Sequence, residues 1–300
     1  MMHRLHTYIY IAACVLLVAV PRQAAAQNVT AARTAAAAVI YTAADSSLVC
    51  RLLAEARRER PACLPLFFAR AFIGRPYVAH TLELYPDDER LIVNTRQLDC
   101  TTLVETVTAL TLCASRQKYS FADYLSLLRQ LRYRQGIIDG YPSRLHYFSD
   151  WILDNTRLHL VSEVQQPSPF TAVQVLKLGY MSTHPDAYVQ LKGHEMLVRQ
   201  IAEQERSLKG RRFRYIPKLQ VLDTPAMRQA IHDGDIIAIT TSKAGLDIAH
   251  LGFAFWQADG LHLLNASMIH KKVVAEPMTL GRYLSKHPSH TGIRVIRIEQ

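Results

Sequence analysis

The run Asp99-Cys100-Thr101-Thr102, opening an apolar stretch, constrains this chain more than any other feature. Leu103, Val104, Val107 and Leu110 recur at helical spacing and mark the buried face of a helix. Asp99 caps that helix: its carboxylate accepts free backbone N–H groups of the first turn and leaves Cys100 at the positive end of the dipole. A thiol there loses its proton more readily, and the thiolate is the nucleophilic form. The plainer reading, one more buried cysteine, stands against this capped and polar-flanked setting.

The first 26 residues read as an export signal. Arg4 supplies positive charge, an apolar run extends from Tyr8 to Val20, and Ala24-Ala25-Ala26 forms a small-residue cleavage site, with a retained N-terminal anchor as the alternative. The run is short for a membrane span, and no later stretch is apolar enough to cross a bilayer. The mature protein is therefore expected outside the cytoplasm, in the periplasm or cell envelope. Residues 27–63 read as an N-terminal helical arm, and residues 64–300 as one elaborated domain.

At 49% hydrophobic residues the remaining chain has enough material for a substantial core. The formal charge of +10 favours an acidic partner such as an anionic polymer or envelope surface. Nucleic acid is not expected, because no dense basic run interleaved with aromatic residues occurs. After cleavage four cysteines remain. Cys50 and Cys63 flank the charged segment Arg57 to Pro61, which resembles the turn of a helical hairpin, so a disulfide across it is feasible in an oxidising compartment. Cys100 and Cys113 fall on one helix about 20 Å apart and cannot bond to each other. A zinc site has no motif to support it: neither C-x-x-C nor H-E-x-x-H is present.

Between these landmarks the chain reads as short elements. Leu64 to Ala71 suggests a helix ended by Gly74-Arg75-Pro76, and Tyr77 to Leu84 with Leu91 to Asn94 an extended pair. Phe121 to Tyr133 is an amphipathic helix with Arg129 and Arg132 on its wet side. The segment Arg144-Leu145-His146-Tyr147-Phe148-Ser149-Asp150-Trp151 crowds an arginine, a histidine, aromatic rings and a carboxylate together. It is either a substrate-contacting loop and helix start or a helix with aromatic core residues and solvated charges. Leu158 to Val164 reads as a strand, Tyr180 to His184 as a loop and Asp186 to Leu208 as a long helix. Arg211, Arg212 and Arg214 form either a solvated edge or an anion contact.

Asp233-Gly234-Asp235 turns the chain into a β-rich run from Ile236 to Thr240. A second strand begins at Ile248, and Ala258-Asp259-Gly260 returns it through Leu261 to Ser267. A meander carrying His250, with a polar residue on the next strand, suits a thiol nucleophile: the imidazole takes the proton and a third group orients it. His262 and Asn265 are three apart and face opposite sides of a strand, so one of them belongs to such a site. Asn265 is favoured, because its amide can accept from an imidazole N–H whereas His262 sits within the apolar strand.

Taken together, Gly74-Arg75-Pro76-Tyr77, Asp99-Cys100-Thr101-Thr102, Arg144 to Trp151 and Gly245-Leu246-Asp247-Ile248-Ala249-His250 resemble the NlpC-type, papain-like cell-wall cysteine hydrolases. The closer resemblance is to their N-acetylmuramoyl-L-alanine amidase-like branch, from about Leu64 onward. The resemblance implies an α+β fold in which a nucleophile-bearing helix packs on an antiparallel sheet, with added helices. It also implies Cys100 as nucleophile, His250 as general base and Asn265 as orienting residue, with no metal and no cofactor. The branch carries histidine at this third position, in His-Ala-Ser; this chain carries Asn265-Ala266-Ser267. Arg144, His146, Tyr147, Ser149, Asp150 and Asp247 are the expected substrate contacts. The implied substrate is peptidoglycan or its muropeptide fragments, cleaved between N-acetylmuramic acid and L-alanine. A stem-peptide endopeptidase of the same superfamily and a catalytically weak wall-binding protein are the alternatives. The oligomeric state is not legible.

Overall fold

The computed structural model describes residues 39–166 and 168–300. The expected export signal, residues 1–26, and the alanine-rich stretch as far as residue 38 lie outside them. Nine α-helices are named among the described residues: α1 Ala43–Glu59, α2 Leu64–Arg70, α3 Cys100–Ser115, α4 Phe121–Arg132, α5 Phe148–Arg157, α6 Tyr180–Thr183, α7 Glu195–Leu208, α8 Pro225–Ala230 and α9 Leu280–Ser285. The strands are β1 Val161–Val164, β2 Ala172–Val175, β3 Arg212–Pro217, β4 Ile236–Thr241, β5 Ile248–Gln257, β6 Gly260–Ser267, β7 Lys272–Ala275 and β8 His290–Ile298. No described helix is long and apolar enough to cross a membrane.

Every strand belongs to one antiparallel sheet, in the order β2-β3-β8-β4-β5-β6-β7, with β1 pairing a further stretch of β8. The meander β4-β5-β6 follows from local turn chemistry. The last strand, β8, lies between β3 and β4, a long-range pairing that no local pattern announces. Alternation along β4 places Ile236 and Ala238 in one core and Ile237 and Ile239 in another. The sheet is therefore covered on both faces. On one side lie α1 to α5; on the other, Met227 of α8 and Leu280 and Leu284 of α9 complete the second core.

Helix α3 starts where Asp99 predicts. The Asp99 carboxylate accepts the Thr102 N–H at 2.8 Å, and the Thr102 hydroxyl accepts the Asp99 N–H at 2.9 Å. Beyond this cap the helix is buried from Thr102 to Cys113, enclosed by α1, α2, α4 and the strands β5 and β6. That enclosure corrects the placement of Arg132 on a wet face. Arg132 is 2% exposed, because Glu105 on α3 is buried and needs a cation: Arg132 Nε donates to Glu105 Oε2 at 2.7 Å.

The boundary expected at Leu64 has no counterpart in the packing. Leu48, Val49, Leu52, Leu53 and Ala56 of α1 join the same core as α3. Buried Asp45 reinforces the join by accepting the N–H and hydroxyl of Thr95 at 2.9 and 2.8 Å. Cys50 and Cys63 are both free. Cys50 lies nine residues before the end of α1, and Cys63 stands at the N-cap of α2. Cys63 Sγ instead donates to the Asp233 carbonyl at 3.4 Å.

Other elements are shorter or differently partnered than expected. Tyr77 bridges Leu98 and Ile92 bridges Ile40, so the stretches around them do not pair with each other. Helix α7 begins at Glu195 rather than Asp186, because Gly193 takes φ +77, a left-handed conformation that ends a regular helix. Tyr180 to Thr183 is a helical turn instead of a loop. Strand β1 starts only at Val161. Arg211, Arg212 and Arg214 are exposed, as a solvated edge requires.

Candidate active site

Cys100 is the first residue of α3, half-buried at the helix mouth. The first intrahelical bond is donated by Leu103 to the Asp99 carbonyl at 3.0 Å, so the N–H groups of Cys100 and Thr101 precede the ladder. The environment of the thiol corrects the electrostatic expectation. Burial, with the Asp99 carboxylate adding to it, pushes the Cys100 pKa up to about 12; the Leu251 backbone N–H, the Thr101 side chain and the Cys100 N–H pull the other way. The capping residue thus orders the helix while its charge opposes the thiolate.

His250 stands near the start of β5. The register of β4 against β5 shifts between Ile239, opposite His250, and Thr240, opposite Ile248, leaving Ala249 as the extra residue of a bulge. Bulges re-aim neighbouring side chains. His250 Nε2 meets Asn265 Oδ1 at 3.0 Å, so this nitrogen carries the proton and Nδ1 is the acceptor. Two residues on, Gly252 admits the close approach of β6: a Cβ there would lie 2.7 Å from the Leu264 carbonyl oxygen. Burial lowers the His250 pKa, with His287 adding to it, against the Asn265 hydrogen bond and the carboxylates of Asp99 and Glu276. His262 is tied elsewhere, to the Glu276 carbonyl at 3.0 Å and Asp259 at 2.9 Å.

Cys100 and His250 line one cleft of 280 Å³, together with Glu83, Thr101, Tyr141, His146, Tyr147, Phe148, Met181, Tyr188 and residues 246–251. No hydrogen bond joins thiol and imidazole among the described residues; catalytic contacts are often looser before substrate binds. A neutral thiol beside a neutral imidazole can attack a carbonyl as the imidazole takes the proton.

The remaining sequence-selected positions divide. His146, Tyr147 and Asp247 line the cleft. His146 stays neutral, its pKa lowered to about 3 by burial and by Arg144, with Nε2 held by the Tyr141 carbonyl at 2.9 Å. Tyr147 donates to Glu205 at 2.6 Å, and Asp247 accepts the Ser149 N–H at 2.7 Å. Arg144, Ser149 and Asp150 are not among the residues that line this cleft. Each is turned into a structural pair: Arg144 to Glu89 at 2.8 Å, Asp150 to Arg134 at 2.6 Å, and the Ser149 hydroxyl to Arg294 at 2.6 Å. They hold the wall that the other three present.

Sequence reasoning missed Glu83, Met181 and Tyr188 as cleft residues and Tyr77 beside the thiol. Glu83 and Tyr188 fall in segments read as a strand and a helix, and Met181 in one read as a loop, none of which points to a cleft. Tyr77 lay in a motif noted for its Gly-x-Pro-Tyr pattern, and its bridge to Leu98 carries it to the helix start. Burial, followed by the nearby Cys100 and Asp99, raises its phenol to about 12. No group of three or more His, Cys, Asp or Glu suited to a metal occurs among the described residues.

A family model described as AmiA-like, N-acetylmuramoyl-L-alanine amidase-like, matches residues 67–293. The chain belongs to that family. Among solved structures, this amidase-like chain is similar to an N-acetylmuramoyl-L-alanine amidase from Bacteroides uniformis, with 41% identity, a TM-score of 0.74, and coverage of 79% of this chain and 98% of that one. A Bacteroides fragilis protein described provisionally as a xylanase is as similar, at 41% identity and TM-score 0.72, covering 77% and 99% of the two chains. A Legionella pneumophila protein, LPG0564, at 21% identity and TM-score 0.64, covers 86% and 97% and shares the fold. No protein of curated function gives a significant match. The amidase-like family is thus shared across most of the described chain, on a mixed fold of helices against an antiparallel sheet.

Proposed function

We propose that this chain hydrolyses the amide between N-acetylmuramic acid and L-alanine in peptidoglycan or its fragments, by a papain-like cysteine mechanism. One observation carries the reading: a cysteine at the mouth of a capped helix and a histidine oriented by Asn265 border the same cleft. The name of the Bacteroides uniformis relative, with the family match, directs that chemistry to the muramoyl amide. The Met1 to Ala26 pattern supports delivery to the periplasm or envelope.

In the proposed reaction, Cys100 Sγ attacks the lactyl carbonyl of muramic acid as its proton passes to His250 Nδ1. Because burial holds the resting thiol protonated, that transfer accompanies attack instead of preceding it. The helix-mouth N–H groups stabilise the oxyanion, and the imidazolium protonates the departing L-alanine amine. Water activated by His250 then hydrolyses the thioester. Asn265 keeps the ring in the tautomer this requires.

A digest of defined muropeptides analysed by mass spectrometry tests the reading. Free muramic acid or disaccharide with intact peptide is the expected product. Cleavage between D-glutamate and the diamino acid would instead support the endopeptidase. Cys100→Ala should lower the rate by roughly a thousandfold or more, as loss of a covalent nucleophile does. A variant that keeps most of its activity removes the cysteine mechanism, and a wild type without turnover leaves a wall-binding protein.

A further inference from the structure

The cleft is acidic in a chain of formal charge +10. Among the described residues no lysine or arginine lines it, and its carboxylates are Glu83 and Asp247. Asp247 is 3% exposed and committed to the Ser149 N–H. Glu83 is different. Half-buried, it sits on the irregular segment between α2 and α3, and its partner is the exposed imidazole of His80 at 2.9 Å. Among the described residues its other carboxylate oxygen takes no hydrogen bond. Tyr141 and Tyr188 line the same cleft, and the Glu83 charge reaches both: it helps to raise the Tyr188 phenol to about 12, after burial, Tyr180 and Glu205, and acts in the same direction on Tyr141. A carboxylate that shares a cleft with two phenol rings suits an alkylammonium, to which the rings add cation–π attraction.

A muramoyl peptide is mostly acidic, with carboxylates along its stem. Glu83 repels those groups. The complementary group on such a substrate is the free side-chain amine of its diamino acid. Resting on the amidase reading, we infer that Glu83, with Tyr141 and Tyr188, forms an ammonium subsite selecting stems whose diamino acid carries a free amine. Stems whose amine is acylated, as in a cross-link, are then disfavoured, and the enzyme acts on uncross-linked material.

The test uses a muramoyl tripeptide and its derivative acetylated on the diamino acid amine, since in both the L-alanine nitrogen is already acylated by the lactyl group. Acetylation should lower the kcat/KM of the wild type about tenfold, the scale of one well-placed charge pair. In Glu83→Gln that penalty should shrink to roughly twofold or less, and Glu83→Asp should recover part of it. Equal turnover of both peptides by the wild type, or the same penalty in Glu83→Gln, overturns the subsite. Calorimetric titration of both peptides into Cys100→Ala and Cys100→Ala/Glu83→Gln reads the same ratio from Kd, independently of turnover. If the wild type releases no muramic acid from either peptide, the amidase reading fails; the binding ratio still decides whether Glu83 recognises the amine.

Discussion

At the scale of single residues the site joins two opposed demands. Asp99 must cap α3 to present Cys100, yet its charge and the burial of the sulfur hold the thiol near 12. In the proposed mechanism the deprotonation is therefore left to His250, and the orientation of that ring becomes decisive. Asn265 is fully buried and supplies the 3.0 Å contact that fixes it. Asn265→Ala should lower kcat by roughly 10- to 100-fold with KM little changed, because the ring loses orientation while the cleft wall stays intact. Asn265→His, which returns an acceptor nitrogen, should recover part of the rate. Steady-state kinetics of the two variants check this, and an alanine variant as fast as wild type would remove Asn265 from the mechanism. The acid limb of kcat/KM should lie below pH 6.5, since burial and His287 depress the His250 pKa and keep the base neutral to lower pH.

At the scale of elements, α3 is a buried helix with a charge inside it. Glu105 is 2% exposed and paired with Arg132, whose second nitrogen donates to the Ile92 carbonyl at 2.6 Å. Breaking such a pair from one side strands the other charge in the core and costs about 3–5 kcal/mol. Arg132→Met should therefore lower the urea midpoint substantially. Adding Glu105→Leu should return much of the loss, because the stranded carboxylate is then gone. Urea denaturation of the single and double variants measures both steps. A double variant no better than the single would show that the cation serves the Ile92 carbonyl more than Glu105.

At the largest scale, the sheet among the described residues carries a core on each face, and several imidazoles are held neutral. His146 is lowered to about 3, mainly by burial and then by Arg144, and His290 to about 4, mainly by burial and then by the neighbouring His287 and His250 rings. Both native pKa values lie below the ordinary 6.5, so the unfolded chain takes up protons first as the pH falls. Their contribution to stability is complete above 6.5 and declines below it. At pH 5 each costs about 2 kcal/mol, from 1.5 units at 1.36 kcal/mol per unit. Denaturation at pH 7.5 and pH 5 should show a clearly lower midpoint at pH 5, and equal midpoints would contradict the burial of these rings.

What the sequence determined by itself was local: the Asp99 cap, the start of α3, the turn before β4, the β5-β6 hairpin and the contact of Asn265, not His262, with His250. These rest on hydrogen bonds and side-chain alternation within a few residues, and such patterns survive whatever the rest of the chain does. Tertiary structure decided which charges face the cleft. Arg144 pairs with Glu89, 55 residues away, and Ser149 is engaged by Arg294, 145 residues away. Glu83 carried no local signal, and the bulge at Ala249 is visible only when β4 is laid beside β5. The thiol's protonation also lay beyond local reading, because desolvation depends on everything packed around the sulfur and here outweighs the helix terminus that the sequence announces.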